Sequence, residues 1–140
     1  MTGNANLFAH FQQHFPADLN TQLLTEVDGC GTTYLQAEEA SARIANTLLQ
    51  LGAGSGDRVT VQVEKSVENL YLYLACLRAG LVYHPLNTAY TASELAYFLE
   101  NAEPTIVICA SDALTTIESV LPTNGIKALL TLDADGSGTL

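Results

Sequence analysis

Two aspartates that alternate with small residues near the end of the chain are the most suggestive chemical pattern in this sequence. The spacing of this segment matches the first part of a calcium-binding loop, with its first oxygen ligands and its turn glycine. The matching residues are Asp133, Asp135, Ser137, Gly138 and Thr139. The chain ends before the bidentate glutamate of such a loop, and the residues before it predict a strand rather than a helix. We therefore reject calcium and expect a polar turn after a strand.

The glycine-rich segment 52–57 is a second candidate, because glycine-rich loops bind phosphate. Such a loop follows a strand, precedes a helix and ends in Gly-Lys-Ser/Thr. Here a helix is predicted before the segment and a strand after it, and Asp57 stands where a cation would be needed. We interpret the segment as a helix-to-strand turn.

Histidines provide a third set of candidates. His10 and His14 are four residues apart, which places two imidazoles on one helix face, but Gln12 and Gln13 supply no glutamate base and no third ligand is evident. We expect two solvated histidines. His84, beside Pro85, is interpreted as a packed or strand-end histidine.

Adjacent glutamates and isolated cysteines complete the reactive side chains. Glu38 and Glu39 point apart on a predicted helix and are expected to form a solvated face. Cys30, Cys76 and Cys109 are odd in number and widely spaced, without a Cys-x-x-Cys pair, which favours reduced thiols and a cytoplasmic location. Nothing in the sequence assembles a catalytic set.

Composition restricts the possible partners. The chain has 140 residues, 48% of them hydrophobic, and a formal charge of −10 that is shared equally between its two halves. This composition argues against nucleic acid and anionic membrane surfaces as partners, since both require clustered Lys and Arg. No apolar run approaches the roughly 20 residues that span a bilayer, and no secretory signal is visible.

The elements that must position these side chains alternate regularly. The residue patterns predict helices over 5–15, 35–51, 67–79, 92–101 and 112–121, a hairpin over 21–34, and strands over 58–63, 81–85, 105–109 and 128–132. Helix ends are marked by Pro16, Gly52, Gly80 and Pro104. The expected N-terminal cap is Thr91 or Ser93 for the helix over 92–101, and Ser111 or Asp112 for the helix over 112–121.

This alternation predicts an α/β fold with a largely parallel sheet flanked by helices and a small N-terminal hairpin. Within residues 1–140, residues 1–55 are expected to form a helix–hairpin–helix entry region and residues 56–140 a βαβ core. No helix follows the last predicted strand, so we expect one face or edge of the sheet to lack its cover.

A family resemblance rests on a combination of segments rather than on one motif. These are Gly56–Val61, Leu74–Asn87, Tyr90 with Glu94-Leu95, and Thr33–Leu35 before the helix that carries Arg43 and Ala45. The combination resembles the N-terminal region of the acyl-adenylate-forming, AMP-binding ligases. Within that superfamily, segments 61–67 and 85–91 are most similar to malonyl-CoA synthetases. His84 departs from the superfamily pattern, in which an aliphatic residue is commoner at this position.

The resemblance implies a two-step reaction of the parent enzyme. A carboxylate attacks the α-phosphate of Mg-ATP to give acyl-adenylate and diphosphate, and the CoA thiol then displaces AMP. The implied parent uses ATP, Mg²⁺ and CoA with malonate in cytoplasmic fatty acid metabolism. Its phosphate loop, ribose-binding Asp and catalytic Lys do not occur in this sequence, so no catalytic, cofactor-binding or metal-ligating residue is assigned.

The expectation is therefore a non-catalytic scaffold portion of an acid–CoA ligase, whose main partner is the C-terminal remainder of that ligase. Two alternatives stay open. The chain could be a free-standing interaction or dimerisation module that uses an open sheet edge, or it could derive from a fatty or aryl acid–CoA ligase.

Overall fold

The computed structural model describes residues 5–140 and contains a small antiparallel hairpin and a four-stranded parallel sheet. The hairpin consists of β1 (Gln22–Thr25) and β2 (Gly31–Thr33). The parallel sheet has the order β4-β3-β5-β6, with β3 (Arg58–Gln62), β4 (Val82–Pro85), β5 (Ile106–Cys109) and β6 (Ala128–Thr131). The helices are α1 (Leu7–Gln12), α2 (Tyr34–Gln50), α3 (Val67–Ala79), α4 (Ala92–Ala102) and α5 (Leu114–Val120). The expected fold class is confirmed.

Local signals explain where most helices begin and end. Thr33 and Thr91 each accept a hydrogen bond from the backbone of the third helical residue, and Gln36 and Glu94 bond back to the cap in reciprocal capping boxes. Gly80 ends α3 with a φ of 70°, in the left-handed region that glycine adopts without strain. Of the two expected caps of α4, Thr91 and Ser93, the structure has Thr91.

Helix α1 is shorter than the apolar spacing predicted. It ends at Gln12, and the amides of His14 and Phe15 bond to carbonyls only three residues back. The chain therefore tightens into turns before it reaches Pro16. Phe8 is buried against α2 and α3, whereas Phe11 is 37% exposed, so only part of the expected apolar face is packed.

The sheet is buried on both faces. On one side, Val59 and Val61 pack with residues of α2 and α3, including Leu48 and Leu72. On the other side, a second cluster joins β5 to α4 and α5. The uncovered part of the sheet is consequently an edge and not a face: β4 is an outer strand, and Val82 on it is 46% exposed.

The other outer strand is partly covered by the end of the chain. The amide of Thr139 donates to the carbonyl of Thr131 at 3.0 Å, and Gly138 forms a bridge with Leu132. Residues 133–138 therefore return beside β6 as a tight turn. Over residues 5–140, no helix is long and apolar enough to cross a membrane.

Candidate functional site

A cavity of about 610 Å³ lies where the parallel strands end. From β3 the chain adds β4 on one side and later adds β5 on the other side, so the order in which strands are added reverses between β3 and β5, while all four strands stay parallel. Ligands of open α/β sheets bind in the crevice at such a switch point, outside the carboxyl ends of the strands. The polar residues lining this carboxyl-edge cavity are Gln62, Glu64, Thr88, Ser111, Asp112 and Asp133.

One wall of the carboxyl-edge cavity is held by a contact between two strand ends. The Asp133 carboxylate accepts hydrogen bonds from the Ser111 amide at 2.9 Å and from the Ser111 hydroxyl at 2.5 Å. These bonds hold the pKa of Asp133 below its ordinary value. The carboxylate therefore stays charged and joins the turn after β6 to the segment after β5.

The Asp133 contact also overturns the expected cap of α5. Ser111 opens a short 3-10 helix, Ser111–Ala113, and neither Ser111 nor Asp112 caps α5, whose N-cap residue Ala113 makes no side-chain hydrogen bond. The Ser111 hydroxyl donates to a carboxylate 22 residues later instead of accepting from the helix backbone. The expectation of a Ser111 or Asp112 cap is wrong for this reason.

The remaining residues of the apparent calcium-binding pattern stabilise the turn itself. Asp135 accepts hydrogen bonds from the Ser137 amide at 2.9 Å and from its hydroxyl at 2.6 Å, which lowers the pKa of Asp135. Gly138 has a φ of 131°, and a Cβ there would lie 2.3 Å from the Thr131 carbonyl oxygen. The segment forms the expected polar turn after a strand.

Gln62 is the residue of this site that sequence analysis missed. It is 3% exposed, and its Nε2 donates to the Asn87 carbonyl at 3.0 Å, while its buried Oε1 has no hydrogen-bond partner among residues 5–140. Asn87 in turn accepts a hydrogen bond from the Ala89 amide at 2.9 Å. Gln62 thus attaches the loop after β4 to the sheet. Its polar side chain within the strand Arg-Val-Thr-Val-Gln was the available signal.

Charge limits what the carboxyl-edge cavity can bind. Three carboxylates line it, those of Glu64, Asp112 and Asp133, and none of the five Lys and Arg residues, all within the described chain, is on its wall. An anionic ligand would meet three negative charges without a compensating cation. This cavity therefore does not fit phosphate groups or a dicarboxylate.

The histidine candidates are not brought together. His84 Nδ1 lies 2.9 Å from Thr60 Oγ1, and burial, followed by the nearby Arg58 charge, lowers the pKa of His84. His10 and His14 are both exposed, and His14 Nδ1 is 2.9 Å from the His10 carbonyl oxygen. These positions agree with a packed strand histidine and with two solvated helix histidines.

The glycine-rich segment connects α2 to β3, as expected of a turn. Asp57 accepts a hydrogen bond from the Gly54 amide at 2.8 Å, and this bond lowers the pKa of Asp57. The carboxylate therefore fixes the turn and does not face an open phosphate site. Lys127 donates to the Gly52 carbonyl and fastens the same turn to the segment before β6.

One glutamate of the expected solvated pair is not solvated. Glu38 lies 2.9 Å from the Arg78 guanidinium, and both side chains are 22% exposed, whereas Glu39 is exposed. Arg78 also donates to the Ser41 hydroxyl and lies over the Phe8 ring, 4.3 Å from its centroid. The prediction for Glu38 is wrong because its partner lies 40 residues away in sequence.

The buried cysteines are not equipped as nucleophiles. Burial raises the pKa of Cys76 to about 12 and that of Cys109 to about 11. Nucleophilic cysteines are thiolates, and these environments oppose thiolate formation. Both side chains belong to the cores on the two faces of the sheet.

Known proteins of one enzyme family are similar to this chain in sequence and in fold. The family model for AMP-binding enzymes matches residues 11–139. ATP-bound MatB from Rhodopseudomonas palustris superposes with a TM-score of 0.90 at 43% identity, over 97% of this chain and 27% of MatB. The medium-chain fatty-acid–CoA ligase of Escherichia coli is 32% identical over 72% of this chain and 18% of its own length.

A third relative is a medium/long-chain-fatty-acid–CoA/3-oxocholest-4-en-26-oate–CoA ligase of Mycobacterium marinum. It is 30% identical over 75% of this chain. The chain spans 19% of that ligase, so this relative, like the other two, is several times longer than the residues it shares with this chain.

Proposed function

Because this chain belongs to the AMP-binding enzyme family, in which it corresponds to the N-terminal part of an acyl-CoA synthetase, we propose that it belongs to a ligase for malonate. The parent reaction would convert ATP, malonate and CoA to malonyl-CoA, AMP and diphosphate through an acyl-adenylate. The proposed location of the parent is the cytoplasm. The proposal starts from membership of the ligase family and adds malonate as the acid substrate.

The observation that carries the choice of malonate is the similarity to MatB. The 43% identity extends over 97% of this chain, whereas the fatty-acid–CoA ligases named above share 30% and 32% over about three quarters of it. MatB is a malonyl-CoA synthetase. Segments 61–67 and 85–91 support the same choice from the sequence.

The chain by itself is proposed to be a scaffold without turnover. Its carboxyl-edge cavity carries three carboxylates and no Lys or Arg, which does not fit the phosphates of ATP or the two carboxylates of malonate. The glycine-rich turn is fastened by its own Asp57 and is flanked by elements in the wrong order for a phosphate loop. The residues of this chain are therefore not proposed to bind ATP or Mg²⁺.

What these residues would contribute to the parent is a rigid parallel sheet. Strands β3 and β5 are buried on both faces and lie at the centre of the sheet. A buried sheet of this kind holds the loops at its carboxyl edge in fixed positions, and the C-terminal remainder of the ligase would supply the nucleotide and acid contacts.

The decisive experiment extends the sequence and assays the product. The coding sequence is read past codon 140, the complete protein is purified, and AMP formation is measured with CoA, Mg-ATP and a panel of malonate, octanoate, palmitate and benzoate. Malonate-dependent AMP and thioester formation supports the proposal, and a preference for a fatty or aryl acid overturns the malonate assignment. Residues 1–140 alone serve as the control and are expected to form no thioester.

A second candidate function uses the outer edge of β4 to pair two copies of the chain. Its support is the 46% exposure of Val82 on an outer strand. The edge is only four residues long and Pro85 has no amide hydrogen, so few new backbone bonds could form. Light scattering across a concentration series tests it: a folded dimer favours the module, and a folded monomer argues against it.

A further inference from the structure

Gln62, one of the residues that line the carboxyl-edge cavity, has a buried side-chain oxygen that accepts no hydrogen bond from the described residues 5–140. Within the described part of the chain Oε1 has no partner, whereas Nε2 of the same amide donates to the Asn87 carbonyl, and the side chain is only 3% exposed. Buried polar atoms without a partner are rare, because each costs the lost hydrogen bond to water. Turning the amide over would place Oε1 against the Asn87 carbonyl oxygen, so a donor for Oε1 has to come from a water molecule or from a ligand.

The other polar groups of the cavity also favour a donor. Glu64, Asp112 and Asp133 present carboxylates, which accept hydrogen bonds when ionised. The Ser111 hydroxyl already donates to Asp133 and is not available as a donor to a ligand. The complementary ligand is positively charged and carries several N–H groups.

A metal ion is not the complementary cation. Among residues 5–140, no group of three or more His, Cys, Asp and Glu side chains is placed to hold a metal. The three acidic residues instead come from separate segments, after β3, β5 and β6, and line a cavity of about 610 Å³, within the range of small-molecule sites. Separated charges of this kind match an extended organic cation better than a single ion.

The cavity wall also includes apolar residues. The apolar residues that line it are Ala89, Ala110, Ala113, Leu132 and Ala134. Methylene carbons between two nitrogen centres would contact such a surface while the nitrogens reach the acceptors. We propose that the carboxyl-edge cavity binds a small linear diamine or guanidinoalkylamine, with Gln62 Oε1 and the Glu64 carboxylate as acceptors for its N–H groups.

The proposal is independent of the acid that the parent ligase uses. The test titrates residues 1–140 with 1,4-diaminobutane and with 4-guanidinobutylamine, and follows backbone amide shifts by NMR. The neutral analogue 1,4-butanediol has the same chain length without the charges. We expect saturable shifts at Gln62, Ala89, Ala110 and Ser111, with a Kd of about 1 mM or below for the cations.

Two substitutions separate specific binding from general attraction to an acidic chain. Glu64→Gln removes one cavity charge at an exposed position, and Glu39→Gln removes the same charge from an exposed position on α2, outside the cavity. The first is expected to weaken diamine binding about fivefold and the second to leave it unchanged. Gln62→Met, checked for retained folding by its amide spectrum, is expected to weaken binding further.

The outcomes are distinct. Saturable shifts confined to the cavity and weakened by Glu64→Gln, but not by Glu39→Gln, support the assignment. Equal effects of the two glutamate substitutions, shifts spread over the acidic surface, or equal binding of 1,4-butanediol overturn it. Failure of this test leaves the ligase assay unaffected, because that assay measures thioester formation by the complete protein.

Discussion

Asp133 and Ser111 join the ends of two neighbouring strands through two hydrogen bonds to one carboxylate. Ser111 follows β5 and Asp133 follows β6, so the contact fixes the turn 133–138 relative to the sheet. Because this turn forms a wall of the carboxyl-edge cavity, the same contact also defines the shape of the candidate site.

The first prediction concerns the pH dependence of stability at Asp133. Its pKa is lowered in the folded protein, so its contribution to stability is present above the ordinary Asp pKa and is lost as the pH falls through the lower folded value. Asp133→Asn is therefore expected to lower the thermal midpoint at pH 7. The difference in thermal midpoint between this variant and the wild type is expected to become smaller at acid pH. Thermal unfolding monitored by circular dichroism from pH 7 to pH 3 measures this change.

A matched control for Asp133 is Asp112→Asn. It removes the same charge from the neighbouring 3-10 helix without removing an acceptor of the Ser111 hydrogen bonds. Equal, pH-independent effects of the two substitutions would show that the Asp133–Ser111 contact contributes nothing of its own.

The second prediction concerns Gly80, which ends α3 in the left-handed region. Gly80→Ala is expected to destabilise the protein by about 1–2 kcal/mol, because an L-residue is strained at a φ of 70°. The new Cβ would also lie 3.1 Å from the Ser55 hydroxyl oxygen. Urea unfolding measures the change in free energy.

Gly54→Ala provides the comparison for Gly80. Gly54 is not among the glycines with positive φ, and a Cβ there would make only an ordinary contact at 3.8 Å with Asp57. We expect a change within about 0.5 kcal/mol. If Gly80→Ala were equally mild, the left-handed helix end would not be a requirement of the fold.

The third prediction concerns Arg78, which connects α3 to α2 and α1. Arg78→Met is expected to cost about 2–3 kcal/mol, because it leaves the half-buried Glu38 carboxylate without its cation and removes hydrogen bonds to Ser41 and to the Glu38 backbone. Methionine retains much of the apolar stem over Phe8, so the loss reports mainly on polar contacts. The measurement is again urea unfolding, with the exposed Arg43→Met as the control. Equal effects of both changes would contradict a structural role for the Glu38–Arg78 pair.

The fourth prediction concerns the thiols. Cys30 is exposed, and Cys76 and Cys109 are buried, so a disulfide reagent at pH 8 is expected to modify one thiol in the native protein and three in urea. The Asp28 side-chain hydrogen bond and then its charge raise the pKa of Cys30, which lowers the thiolate fraction at a given pH. Asp28→Asn should therefore speed modification of Cys30.

The control for the thiol experiment is Cys30→Ser, which should abolish native-state modification. Rapid reaction of the remaining two thiols in that variant would show that the cores around Cys76 and Cys109 open readily. Such a result would contradict the buried positions of these side chains.

Local sequence signals predicted the elements with good accuracy where the relevant partners are close in the chain. The bounds of α3 agree with the prediction, because Ser66 caps its start and Gly80 ends it within the same segment. The predicted helix 35–51 and the hairpin 21–34 correspond to α2 and to the β1–β2 pair for the same reason. Capping and turn chemistry act over three or four residues and can be recognised without the fold.

Apart from the early end of α1, the errors occurred where a side chain finds its partner far along the chain. Ser111 was expected to cap α5, but it donates to Asp133, and Glu38 was expected in solvent, but it pairs with Arg78. Neither partner is implied by local spacing. The division into regions 1–55 and 56–140 stays a prediction.

The sequence by itself determined the alternation of strands and helices, the ends of α2, α3 and α4 to within one residue, and the acidic charge, because periodicity and capping are local properties. Only the tertiary structure decided that β3 lies between β4 and β5, which brings Gln62, Glu64 and Asp133 to one cavity. Backbone hydrogen bonding does not specify which strand becomes a neighbour. That choice depends on how the apolar faces of all the helices pack on the sheet, and it is therefore visible only in the folded chain.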